Sequence, residues 1–194
     1  MWGKGHTQTL VGSELVSQLR LGGYVIVMRH ASSPRWPPDI TQVNADNVDH
    51  ERQLDLSGRL SATAMGASLR QMHIPIGSVM ASPTYRALET IRLAQFGSAN
   101  TYPQLGDQGQ SMQTDATGSR ADWLRVQAAV RPAAGTNTLI VTHSPNISEA
   151  FPQFADELSD GESLIFHPDG HGTAAMVARV KIEQWSKLAA LQQH

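Results

Sequence analysis

Short unbroken apolar runs alternate along the chain with longer segments in which apolar positions recur every three or four residues. The clearest runs are YVIVM (24–28) and TLIVT (138–142), rich in β-branched residues and of the length of buried strands. A shorter run at 78–81 and a stub at Thr101-Tyr102 predict two more strands. Residues 163–166 and 173–182 predict a further pair, joined by the turn HPDGHG.

Between the runs lie the helical patterns. Residues 13–21 form a short helix ended by Gly22-Gly23. Ser57 caps a helix running to Met72, whose Ala- and Gly-rich faces are expected to lie close to a sheet. Pro83 suits the first turn of a helix reaching Gln95. Helices follow at 119–130, from Pro145, and at 183–191. Residues 31–50, broken by Pro34, Pro37 and Pro38, and residues 104–118 read as loops. Strands alternating with helices predict an α/β fold: a three-layer α/β/α sandwich with a mostly parallel central sheet. At 194 residues, the chain (1–194) is read as a single domain.

Composition narrows the chemistry. There is no cysteine, which removes thiol nucleophiles, zinc–thiolate sites and iron–sulfur clusters. Lys plus Arg number 15 against 17 Asp plus Glu, with no basic cluster, so nucleic acid is not an expected partner. Lysine occurs only at positions 4, 181 and 187, leaving arginine as the main cation. Its planar fork suits phosphate and carboxylate oxygens. No apolar run approaches the roughly 20 residues of a membrane span. The start also lacks the apolar core of a signal peptide. As written the chain reads as cytoplasmic, and a removed leader would make it periplasmic.

Two of the buried-type strands run into histidines: the first into Arg29-His30, the other into His143. Sites in open α/β sheets form at the carboxyl ends of strands. The strand ending near Ala81 leads into SPTYRALET, where Arg86 falls in the first turn of a helix, beside free amides and the positive dipole end. Two arginines and two histidines could thus converge on one anion, one imidazole attacking and the other donating a hydrogen bond. Taken singly, each piece has an ordinary reading: a loop-edge histidine, a surface arginine, a helix capped by Ser144.

Taken in order, the segments resemble the histidine phosphatase (phosphoglycerate mutase-like) superfamily, in its bacterial phosphatase branch. The resemblance rests on VIVMRHAS (25–32), LDLSGRLSATAMGASL from 54, VMASPTYRALETIRLA from 79 and TLIVTHSPNI from 138. The ending GESLIFHPDGHGTAAMVARVKI is similar to the last hairpin of bacterial members. The matches span residues 24–148, about two thirds of the chain. Ala31 stands where the family's Arg-His-Gly has glycine.

The resemblance implies a metal-independent phosphomonoester hydrolase without a cofactor, acting on a small phosphorylated substrate. His30 would be the nucleophile that becomes phosphorylated. Arg29 and Arg86 would bind the phosphoryl oxygens, and His143 would stabilise the charge gathering there. The proton donor falls on Asp107 in YPQLGDQGQSM, where many members have a glutamate, with Asp115 and Glu162 as alternatives; for Asp107 an ordinary turn aspartate beside Gly106 is the competing reading. A phosphomutase and a non-catalytic phosphate-binding module are the rival functions. The long insertions a mutase would need are not evident, and all four of Arg29, His30, Arg86 and His143 are present.

The remaining polar features read as structural. His167 and His171 have i,i+4 spacing, but Pro168 and Gly170 between them favour a solvated hairpin turn over a metal pair. Trp123 and Trp185 are read as packing residues. Trp36, in the loop after His30, could wall the substrate pocket; Arg35 and Arg52 read as solvated loop arginines, with a second anionic group as the alternative.

Overall fold

The computed structural model describes residues 9–34, 52–107, 117–154 and 156–193. The chain order is α1 (Gly12–Leu21), β1 (Val25–Arg29), α2 (Leu56–Gln71), β2 (Ile76–Ala81), α3 (Tyr85–Ala94) and β3 (Asn100–Thr101). It continues with α4 (Thr117–Ala128), β4 (Asn137–Thr142), α5 (Ser144–Ala150), β5 (Ser163–Pro168), β6 (Ala174–Val180) and α6 (Gln184–Ala190). The strands form one six-stranded sheet in the order β3-β2-β4-β1-β5-β6. β3, β2, β4 and β1 run parallel, while the β5–β6 hairpin is antiparallel at one edge.

Strand alternation sorts the core into two layers. Ile26 and Met28 of β1, with Leu139 and Val141 of β4, pack under α1, α2, α3 and α6. Val25, Val27 and Ile140 face the other way, against Leu124 of α4 and Ile147 of α5. With helices on both faces, the sheet is the middle of a three-layer sandwich. Because β1 and β4 are neighbours in register, with Arg29 opposite Thr142, the residues that follow them emerge side by side.

Around α2 one sequence expectation needs correction and another is extended. The cap is Asp55, not Ser57: its carboxylate accepts the Gly58 amide at 2.7 Å and the Ser32 hydroxyl at 2.7 Å. Asp55 therefore ties the start of α2 to the loop after His30, which a cap two residues later would not do. The small residues of α2 also meet partners other than the sheet. A Cβ at Gly66 would lie 2.0 Å from the carbonyl oxygen of Ala94, so glycine here lets α2 and α3 touch backbone to backbone. At Gly58 the obstacle would be the Ser32 carbonyl, at 2.1 Å.

Elsewhere the differences are local. Pro83 precedes α3 rather than lying in it; Thr84 is the residue before the first turn, and Arg86 is still within that turn. His143 takes the position before α5 that Ser144 was read as holding. The HPDGHG turn is built on Asp169, which accepts the amides of His171 and Thr173 and the Thr173 hydroxyl. Trp185 is buried in the core and Trp123 stacks on Tyr102, with ring centroids 5.1 Å apart. Arg35, Trp36 and Asp115 lie outside the described residues.

The α2–α3 contact generates a prediction. Gly66→Ala must push backbone against backbone, so it should destabilise the protein by about 1–3 kcal/mol, the usual cost of overpacking. Urea unfolding of the variant measures this, and a change within error of zero would contradict the close approach.

Candidate active site

The carboxyl ends of β1, β4 and β2 bring the chemistry-bearing residues to one place. Arg29 ends β1 and His30 follows it; His143 follows β4; Ser82 follows β2 and leads into α3. A cavity of about 530 Å³ opens there, its wall including Arg29, His30, Arg52, Asp107, His143 and Ser144. Arg86, wholly buried, bonds three of these side chains. Its Nε donates to His30 Nε2 at 3.3 Å, and its Nη2 donates to Asp107 Oδ2 at 2.6 Å and to His143 Nδ1 at 3.4 Å.

These contacts assign the imidazole protons. His30 Nδ1 lies 2.7 Å from the Ala31 carbonyl, which can only accept, so Nδ1 carries the hydrogen. The lone pair is left on Nε2, where a guanidinium can only donate to it. His143 has the opposite tautomer. Its Nε2–H donates to Ser82 Oγ at 2.9 Å, and Ser82 donates onward to Thr84 Oγ1 at 3.1 Å. His143 therefore turns an acceptor, Nδ1, toward Arg86. The two rings meet edge to face with centroids 5.1 Å apart.

Burial keeps both rings neutral. For His30 it acts together with the Arg86 charge to lower the pKa from 6.5 to about 3. His143 is held well below 6.5 by burial first, then by His30 and Arg86. Neutral imidazole is the form with a lone pair to give.

Several polar residues hold this arrangement although the sequence did not single them out. Thr90 accepts the Ala31 amide at 3.1 Å and donates to the Arg86 carbonyl at 2.8 Å, joining the loop after His30 to α3. Thr142 and Asn146 donate to the carbonyls of Leu105 and Gly106, both at 2.8 Å, fixing the segment that carries Asp107. Thr90 lies within α3, Thr142 ends β4 and Asn146 lies within α5, where nothing local marks them; their tertiary partners distinguish them. Arg52 donates to the carbonyls of Pro34 and Ser33 at 2.9 and 3.2 Å.

Of the alternative acids, Glu162 is committed elsewhere. Its carboxylate is paired with Arg179 and accepts the Ser159 amide at 2.8 Å, and it does not line the cavity. Among the described residues no group of His, Asp and Glu has the arrangement of a metal site.

No family model matches the sequence, and no curated protein matches it either. Solved structures do match. The protein histidine phosphatase SixA complexed with tungstate superposes with a TM-score of 0.59 at 17% identity, over 83% of this chain and 98% of that one. A SixA described as a phosphohistidine phosphatase, from Nakamurella multipartitia, gives 0.56 at 19% identity, over 81% and 95%. A phosphoserine phosphatase variant from Entamoeba histolytica, in complex with phosphoserine, gives 0.55 at 13% identity, over 82% and 98%. The chain has the fold of the histidine phosphatase superfamily.

The buried imidazoles predict a pH dependence. The unfolded chain takes up protons near pH 6.5, whereas the folded chain excludes them at His30 until about pH 3. The unfolded state then binds more protons, so stability from these groups is complete above 6.5 and declines as pH falls toward 3. In nuclear magnetic resonance spectra the His30 and His143 rings should stay neutral from about pH 8 to about pH 5. Titration of either ring near 6.5 would contradict the assignment.

Proposed function

We propose that the protein hydrolyses phosphomonoesters through a phosphohistidine formed on His30, without a metal ion. The observation that carries the reading is the neutral His30 Nε2 lone pair, set beside Arg86 and His143 in the wall of one cavity. The fold it shares with phosphatases adds support.

The phosphoryl group of the substrate takes the Arg86 Nη2 donor from Asp107 and meets Arg29 across the cavity. His30 Nε2 attacks phosphorus as the ester P–O bond breaks, and the leaving oxygen takes a proton from the Asp107 carboxyl. A substrate bound as its monoanion displaces the Asp107 carboxylate from Arg86 and supplies the proton that passes through that carboxyl to the leaving oxygen. His143 presents an acceptor at Nδ1, so it meets phosphate as a donor through a change of tautomer, in which the proton leaves Nε2 for Nδ1 and the Ser82 hydroxyl turns to donate to Nε2. Water then attacks the P–N bond, giving its proton to the Asp107 carboxylate, and inorganic phosphate and free His30 result.

This reading is tested by turnover of an aryl phosphate in the presence of a chelator. Chelator-resistant hydrolysis that is lost in His30→Ala is the expected result. Phosphate binding without turnover would instead favour a binding module.

The role of Asp107 has its own signature. A phenolate with an electron-poor ring leaves with little help, whereas an alkoxide needs a proton. Asp107→Asn should therefore slow alkyl phosphates by roughly 10²–10⁴-fold, the usual worth of general acid catalysis, and activated aryl phosphates much less. Equal loss on both substrate types would assign Asp107 a binding role, and no loss on either would move the search to Asp115.

A further inference from the structure

Arg29 in the cavity wall and the buried Arg86 are each met by a carboxylate, but the two contacts differ in kind. Arg86 Nη2 makes an aligned hydrogen bond to Asp107 Oδ2 at 2.6 Å. Asp160 Oδ1 approaches Arg29 Nη2 to 2.5 Å and is buried, yet it has no hydrogen-bond alignment with any partner among the described residues. The contact with Arg29 is therefore mainly Coulombic: it cancels charge and does little to fix direction.

Direction comes from other atoms. Arg29 Nη1 donates to the Leu158 carbonyl at 2.7 Å, and its amide donates to the Glu162 carbonyl at 3.0 Å. The Leu158 side chain is buried in the core, and Arg179 clamps the rest of this connection through the carbonyls of Phe154 and Asp156 and the carboxylate of Glu162. None of these bonds involves the Asp160 side chain, so losing its charge leaves the guanidinium where it is. Arg29 Nε is buried and has no hydrogen-bond partner among the described residues.

We propose that Asp160 sets how tightly the cavity holds a phosphate group, by neutralising part of the Arg29 charge and not by orienting the side chain. The proposal rests on reading the cavity as a phosphate site. It gives the residue a definite use, since inorganic phosphate must leave after every turnover and two arginines at full charge would retain it. The carboxylate weakens the hold on substrate and product alike.

The test is calorimetric titration of the purified protein with inorganic phosphate. Asp160→Asn should bind it about 3- to 10-fold more tightly than the wild type, the scale expected when a partly exposed ion pair is removed. Asp160→Ala should do the same, and Asp160→Glu should return to the wild-type affinity. The inhibition constant for phosphate should fall in step with the dissociation constant. A residue that orients Arg29 would give the opposite sign, so weaker binding in Asn and Ala overturns the proposal, as does unchanged binding. Failure of the functional reading shows itself separately, as a wild type that binds phosphate and turns over no ester. A wild type that binds no phosphate overturns both.

Discussion

The guanidinium of Arg86 is wholly buried, and a buried charge is tolerated only where its donors are matched to acceptors. It meets His30 from the end of β1, His143 from the end of β4 and Asp107 from the segment after β3. Those residues are far apart in sequence, and the sheet order puts their strands close enough for one side chain to reach them all. The same cation helps keep both imidazoles neutral. Removing it would disturb geometry and protonation together, which is why the hydrogen bonds of Thr90, Thr142 and Asn146 around it matter as much as the groups that face the cavity.

In the ligand-free protein the site is balanced by its own acids. Asp107 takes a donor of Arg86, and Asp160 lies against Arg29. On the proposed reading, an arriving phosphate would meet cations that are already partly satisfied, so binding would be an exchange of anions more than a simple gain of charge. In the proposed mechanism that exchange also prepares the chemistry, because the carboxylate displaced from Arg86 becomes the proton carrier.

Much of this architecture was legible in the sequence because strands buried on both faces leave an unmistakable mark. YVIVM and TLIVT announced two central strands, and with them the edge at which Arg29, His30 and His143 emerge. Arg86 could be placed in a first helical turn from Pro83 before it. What was less legible depended on contacts between distant segments. Ser57 and Asp55 are equally good caps by residue type, and the bonds of Asp55 to the Gly58 amide and the Ser32 hydroxyl distinguish them. Gly66 of α2 looked like a residue for approaching a sheet, but its neighbour is the Ala94 carbonyl of α3. Asp160 lies among several acids in FADELSDGE, where nothing local separates it from a solvated loop residue.

The central claim is that a neutral, buried His30 accepts the phosphoryl group. Rapid acid-free quenching of the protein during turnover of a labelled phosphomonoester, followed by peptide mapping, tests it most directly. The account predicts acid-labile, base-stable label on the peptide containing His30, and none on that peptide when His30 is replaced by alanine. Label on a serine, or turnover that persists with no label on His30, would contradict it.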